Sequence, residues 1–323
     1  MESRKLANTG IELSCVGLGE MPLSLSTRPD EAHAYKVIEA AIEGGMTWID
    51  TADVYCSNHE DIGHGDATTE ALIASDSSGR AKIIARETLT IAGVAVAKAV
   101  FVELDNEASI DAHFEDGEEI QSGECILTVN AQLRSLLTGE RTALNYLQRL
   151  SGIATQSARY AKAVSGTGVL ILDTRKTTPG WRLLEKYAVQ CGGARNHRRG
   201  LDDMMLIKDN HLAALSGEDR IAEAVHRARR ASPNLKIEVE AETLEQAEQA
   251  VEAGADIVLL DNMTIKELRA AVKLINGRTQ TEASGGITLE NIREVAETGV
   301  NYISAGALTH SARSVDISME IQS

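Results

Sequence analysis

The chain has 323 residues, is 43% hydrophobic and 25% charged, and carries a formal net charge of −16. That balance describes a globular protein long enough for one large domain or two ordinary ones. Its acidity excludes general binding to nucleic acid or to an anionic membrane surface, because like charges repel.

Aromatics make up only 3%, so the core must rest on Ala, Val, Ile and Leu. No apolar run approaches the ~18 residues of a membrane helix, and "MESRKLANTG" lacks the apolar centre of a signal peptide. A cytoplasmic location is therefore expected. Cys15, Cys56, Cys125 and Cys191 are scattered, with no CxxC pair, and read as reduced thiols rather than disulfides or a zinc site.

In chain order, "RKLANTGIELS" predicts a hairpin about Asn8-Thr9-Gly10. "RPDEAHAYKVIEAAIEGG" predicts a helix with Ala34, Val37, Ile38, Ala41 and Ile42 on one face and a stop at Gly44-Gly45. "MTWID" follows as a strand, so residues 1–55 form a βαβ-like piece. The polar stretch from Ser57 to Thr69 is a seam. From 70 to 130, "AKIIARE" and "ECILTVN" are strand-like and flank the Ala/Val-rich "AGVAVAKAVFVEL", which suits an α+β domain. Leu144, Leu147, Leu150, Ile153 and Ala154 recur at helical spacing and predict a long helix over 141–164.

After 165 a βα rhythm sets in. Apolar runs end at Asp173, Lys208, Glu240, Asp261, Ser284 and Gly306, with helical patterns such as "TLEQAEQAVEAG" and "TLENIREVAETG" between them. Such alternation predicts parallel strands. Closing a barrel would require one or two more strands between 176 and 204.

Functional groups of a βα barrel sit at the strand C-termini and in the following loops. Arg175 and Lys176 follow the strand ending at Asp173, and Lys208, Glu240 and Asp261 end the next three clear ones. "NHRRG" adds His197, Arg198 and Arg199. Convergence would set cations across a mouth from two carboxylates; a rim of structural salt bridges is the plainer alternative. The last two strands lead into "SGGIT" and "SAGALT". Glycines there let backbone N–H groups approach an anion, and loops at this position commonly hold phosphate. Glu240 and Asp261 suit Mg²⁺ carried on phosphates, while an Arg/Lys cluster suits a carboxylate-bearing second substrate.

These residues lie in motifs that resemble the carboxylating nicotinate-nucleotide pyrophosphorylases, also called quinolinate phosphoribosyltransferases. The motifs are "EDIGHGDATTEALI", "RTALNYLQRLSGIAT", "DTRKTTPGWRLLEKYAVQCGG", "NHRRGL", "LIKDNH", "EVE", "LLDN", "SGGI" and "GALTHSA", in order from Glu60 to the C-terminus. The resemblance implies an N-terminal α/β sandwich domain followed by an incomplete, TIM-like (β/α) barrel, with "SVDISMEIQS" returning to the first domain. The implied boundaries are 1–59 for the extension, 60–145 plus about 312–323 for the sandwich, and 146–311 for the barrel.

By the same resemblance, Arg141, Thr174, Arg175, Lys176, His197, Arg198 and Lys208 would hold quinolinate. Lys176, Glu240 and Asp261 would be catalytic and would line phosphoribosyl pyrophosphate and its Mg²⁺. Ser284, Gly285 and Gly286, with Ala305, Gly306 and Ala307, would cradle the 5′-phosphate. No redox cofactor is implied. The implied assembly is a homodimer with shared sites, Arg141 reaching the neighbouring subunit, and the dimers could join into a hexamer of three. Ala194 departs from the family pattern, which has glycine there.

Residues 1–55 resemble the start of an aldo-keto reductase through "RKLANTGIELSCVGLG", "RPDEAHAYKVIEAAIEGG" and "WIDTADVY". Asp50 and Tyr55 match two of that family's four catalytic positions; the partner Lys and His have no counterpart. A reductase using a nicotinamide cofactor and a non-catalytic phosphate-binding barrel are the alternative functions.

Overall fold

In this computed structural model, residues 66–217 and 219–322 are described, along with the strand segments Ser3–Lys5, Glu12–Ser14, Leu18–Gly19 and Ile49–Asp50. Ser3–Lys5 pairs antiparallel with Glu12–Ser14, in keeping with the hairpin, and Leu18–Gly19 runs parallel to Ile49–Asp50. The helix expected over 29–45, Tyr55 and most of the polar seam lie outside the described residues.

Four strands build the N-terminal sheet: β1 (Ser78–Ala85), β3 (Ser109–Ala112), β5 (Cys125–Gln132) and β12 (Ile317–Gln322), in the order β12-β1-β5-β3 and antiparallel throughout. β2 (Leu89–Thr90) and β4 (Glu119–Ile120) form a separate short pair. Alternation sets the sheet's faces: Ala81, Ile83 and Ala85 of β1 are buried and their neighbours are not. Before it stands α1 (Ala67–Leu72), capped by Asp66, whose carboxylate accepts from Thr69 N at 2.9 Å. The Ala/Val-rich stretch becomes α2 (Val94–Leu104) rather than a strand, its buried Val94, Ala97, Val100 and Phe101 following the helical period.

The long helix, α3 (Leu133–Ala163), begins eight residues before the expected 141. Leu133 and Leu136 continue its apolar stripe backwards. Gly139 lies between them and the rest because a Cβ there would meet Leu104 at 2.9 Å and Phe101 at 3.1 Å. The helix serves two cores. Leu136, Leu144 and Leu147 pack into the sandwich, whereas Leu150, Ile153 and Tyr160 pack into the barrel. Each fully buried Leu or Ile contributes about 1.5–3 kcal/mol.

The second sheet is parallel and six-stranded: β6 (Leu170–Leu172), β7 (Met205–Ile207), β8 (Ile237–Ala241), β9 (Ile257–Asp261), β10 (Gln280–Ser284) and β11 (Tyr302–Ser304), in the order β6-β11-β10-β9-β8-β7. The strand sought between 176 and 204 is reduced to one parallel bridge, Leu172 to Arg195. It extends the β6 edge, and the barrel stays open between this edge and β7. Between strands run α4 (Arg182–Cys191), α5 (Asp209–Ala213), α6 (Arg220–Ala231), α7 (Leu244–Glu252), α8 (Ile265–Ile275) and α9 (Ile292–Ala296). Cys125 and Cys191 are free thiols. Among the described residues, no helix is long and apolar enough to cross a membrane.

Candidate active site

Register decides which residues face the barrel interior. Glu240 pairs with Leu259, Leu259 with Glu282, and Asp261 with Ser284. Side chains alternate along a strand, so Glu238, Glu240, Leu259, Asp261, Glu282 and Ser284 share one face. Above them opens a cavity of about 750 Å³. It is lined by Thr174, Arg175, Lys176, His197, Arg198, Lys208, Glu240, Asp261, Ser284, Gly285, Gly286, Ala305, Gly306 and Ala307, so the residues expected at the site are brought together except Arg141 and Arg199.

Arg141 is the departure. It is exposed on the same side of α3 as Asn145, one turn on, while Ala143, Leu144 and Leu147 point inward, and it does not line this chain's cavity. Sequence reading also missed wall residues: Leu206, Asn262, Glu282, Thr288, Ser304 and His310. The "IEVE" and "TEAS" runs held a signal, since a carboxylate in the middle of a buried parallel strand must face something other than lipid-like packing.

The two basic loops are tied from below by a buried ion pair. Lys186 Nζ lies 2.6 Å from Asp173 Oδ1 and donates to the His197 carbonyl at 3.0 Å, while His197 N donates to Asp173 Oδ1 at 2.7 Å. Burial pushes Asp173 up and Lys186 down in pKa. The pair is costly to bury, but losing one member would cost about 3–5 kcal/mol. Ala194, which leads into the second of these loops, is buried without positive φ, so its backbone conformation is open to alanine as well as glycine.

Arg175 Nε is buried without a hydrogen-bond partner. Burial, then the neighbouring Arg175 charge, pulls Arg198 below the ordinary arginine range. Two half-buried guanidiniums that repel each other form a site for an anion. Lys208 Nζ lies 2.6 Å from Glu240 Oε2, and Asn262 Nδ2 donates to Asp261 Oδ2 at 2.6 Å. These two strand-end carboxylates in the cavity wall offer hard oxygen ligands, which fit a Mg²⁺ arriving on phosphates and completing its shell with their oxygens and water.

Opposite, Gly285 has φ +90° and Gly286 φ +61°. A Cβ at Gly285 would meet Asn262 Oδ1 at 2.1 Å, so only glycine lets this loop close on the β9 turn. Beneath the mouth lies a third group. His197 Nε2 is 3.0 Å from Glu238 Oε2 and 3.6 Å from Glu282 Oε2. Arg198 N donates to His197 Nδ1 at 2.8 Å, which leaves the neutral ring's hydrogen on Nε2, facing the carboxyls. Burial raises Glu238 to about 7; burial, then the Glu238 charge, raises Glu282 to about 8; burial lowers His197.

An open βα barrel with a glycine-lined edge, an oxygen-ligand pair and a cluster of cations around two mutually repelling arginines defines a class of proteins that join a phosphorylated molecule to a small acid. Comparison with known proteins narrows the class. The family model described as "Quinolinate phosphoribosyl transferase, C-terminal domain" matches residues 153–320, and that of the N-terminal domain matches 66–151. A probable carboxylating nicotinate-nucleotide pyrophosphorylase of Bacillus subtilis is 46% identical over 81% of this chain and 90% of its own length. The carboxylating nicotinate-nucleotide pyrophosphorylase of Mycobacterium leprae is 43% identical, covering 81% and 94%. The solved nicotinate-nucleotide pyrophosphorylase of Francisella tularensis superposes with a TM-score of 0.77 at 40% identity, covering 81% of this chain and 92% of that one. The chain belongs to the quinolinate phosphoribosyl transferase family. The aldo/keto reductase family model matches residues 15–82, a range whose last strand, β1, is built into the N-terminal sheet.

Proposed function

We propose that this chain transfers phosphoribosyl from phosphoribosyl pyrophosphate to quinolinate with decarboxylation, giving nicotinate mononucleotide, pyrophosphate and carbon dioxide, a step of NAD biosynthesis. The observation that carries the reading is the repulsive Arg175–Arg198 pair in the same cavity as Glu240, Asp261 and the Gly285–Gly286 loop. A dicarboxylate relieves that repulsion.

In this reading Arg175, Arg198 and Lys208 hold the carboxylates, with Thr174 and Lys176 beside them; His197, expected among the carboxylate ligands, has both ring nitrogens engaged within the chain and sets the position of Arg198 instead. The Lys176 backbone is fixed by its N–H to Thr174 Oγ1 at 3.1 Å and by Thr309 Oγ1 to its carbonyl at 2.7 Å. Its ammonium is free to meet the pyrophosphate. Backbone groups of Ser284, Gly285 and Gly286, with Ala305, Gly306 and Ala307, take the 5′-phosphate. The pyridine nitrogen attacks the anomeric carbon as pyrophosphate leaves, and Glu240 and Asp261 stabilise the positive charge on the sugar. Those two carboxylates would also hold Mg²⁺ on the pyrophosphate, whose chemistry when bound is to neutralise the leaving group. Exposed Arg141 completes the site of a neighbouring subunit in a homodimer, and the enzyme works in the cytoplasm.

The test is to incubate the protein with quinolinate, phosphoribosyl pyrophosphate and Mg²⁺ and to follow nicotinate mononucleotide and carbon dioxide. Absence of both from well-folded protein sinks the reading. Arg175→Ala should weaken quinolinate binding by about 2–5 kcal/mol while phosphoribosyl pyrophosphate still binds, because a desolvated carboxylate loses its partner. Equal quinolinate affinity in calorimetry would remove Arg175 from the clamp.

A further inference from the structure

The proposed reaction leaves one proton unassigned. When the carboxylate at ring carbon C2 departs as carbon dioxide, the C–C bonding pair stays on C2, stabilised by the adjacent cationic nitrogen. A proton must then form the new C2–H bond. None of the residues assigned above is free for that step: Arg175, Arg198 and Lys208 are charge partners of the carboxylates, Lys176 meets the pyrophosphate, and the His197 Nε2 hydrogen goes to Glu238.

Beneath the cation cluster, Glu282 is 0% exposed yet forms part of the cavity wall. Neither of its carboxyl oxygens has a hydrogen bond of ordinary geometry, and Glu238 Oε1 beside it is also unpartnered. The groups facing Glu282 are Glu238 from β8, His197 from the loop before β7 and the Ser304 hydroxyl from β11. Asp173, Lys186 and Arg198 stand behind His197. Two buried carboxyls side by side cannot both ionise, so one keeps a proton. His197 gives its Nε2 hydrogen to Glu238, at 3.0 Å against 3.6 Å for Glu282. Glu282, left without that hydrogen and with both oxygens unpartnered, is the carboxyl that carries the proton.

Resting on the quinolinate reading, we infer that Glu282 is the general acid that protonates C2 after decarboxylation. The O–H bond of Glu282 breaks as C2–H forms. Glu282 is left as a carboxylate and regains its proton from water once product has left the cavity. His197 and Glu238 are positioning residues that keep the carboxyl protonated and aimed at the substrate.

The experiment compares wild type and Glu282→Gln in single turnovers, with pyrophosphate, quinolinate mononucleotide and nicotinate mononucleotide measured together. Glutamine keeps the shape but not the acidity. Pyrophosphate release should stay within several-fold of wild type, while nicotinate mononucleotide formation falls about 10²-fold or more and the undecarboxylated nucleotide accumulates. Should Glu282→Gln not fold, Glu282→Ala is read instead, with nicotinate mononucleotide formation restored in proportion to added formic acid. Undiminished product formation overturns the assignment. So does a parallel fall of pyrophosphate and product, which marks a structural role, or a failure of formic acid to rescue Glu282→Ala. A stoichiometric transition metal in the purified protein held by His197, Glu238 and Glu282, whose ligand atoms all lie within 4.8 Å of one another, overturns it as well. If the wild type itself forms neither pyrophosphate nor product, it is the quinolinate reading that has failed.

Discussion

A protonated carboxyl inside the barrel leaves a thermodynamic trace that needs no substrate. Glu282 has an ordinary value of 4.5 and is raised to about 8, by burial first and the Glu238 charge second. In the unfolded chain the group loses its proton near 4.5; in the folded chain it keeps it to about 8. Between those values the native state binds more protons, so stability falls as pH rises. The contribution is fully present below 4.5 and lost through about 8. The melting temperature should therefore decline across that window, and Glu282→Gln should show a shallower decline. Parallel curves would mean that Glu282 is ionised in the native state. The same residue shows where reading by residue type falls short. Glu240 and Asp261 end their strands and announce a site, whereas Glu238 and Glu282 sit two positions inside, where an isolated sequence offers no partner to reveal their purpose.

The β10 loop shows how an element delivers function. Gly285 holds φ +90° and passes so close to Asn262 that a Cβ would stand 2.1 Å from Oδ1 and 2.9 Å from the backbone nitrogen. Gly285→Ala must move that backbone or bear about 1–3 kcal/mol of strain. Affinity for phosphoribosyl pyrophosphate should drop tenfold or more, with quinolinate affinity preserved. Titration calorimetry with each substrate separates the two, and an equal loss of both would argue for general collapse of the mouth. The "SGG" run was legible as a turn. The Asn262 contact was not, because it joins neighbouring strands 23 register-fixed positions apart in sequence. Similarly, α3 extends back beyond 141 through Thr138 and Gly139, which are poor helix formers by themselves. Packing of Gly139 on Phe101 and Leu104 carries the helix back to Leu133.

At the scale of the molecule, Arg141 makes the sharpest claim. It is exposed in the single chain, yet the proposed function gives it a neighbour's quinolinate. In an isologous dimer each site would then use Arg141 of one chain and Lys208 of the other. Arg141→Ala and Lys208→Ala should each be inactive as pure dimers. Mixed by co-refolding, half of the dimers are mixed, and each of these has one site carrying both lesions and one carrying neither. About a quarter of all sites should recover. Subunit exchange without recovered activity would show that Arg141 acts within its own chain, or not at all.

What the sequence determined by itself is what depends on local order. The βα alternation after 165, the charged strand ends and the glycine loops follow from side-chain period and residue type, and they survive any change of neighbour. Tertiary structure decided the rest, by pairing residues far apart along the chain. It let Arg195 stand in for a missing strand with one bridge to Leu172 and left the barrel open there. It returned Ile317–Gln322 to β1, where Ile317 pairs with Ala85. It turned Glu238, Glu282 and His197 into a single proton-holding group. Burial and mutual repulsion create that group's chemistry, and both depend on contacts that only the folded chain makes.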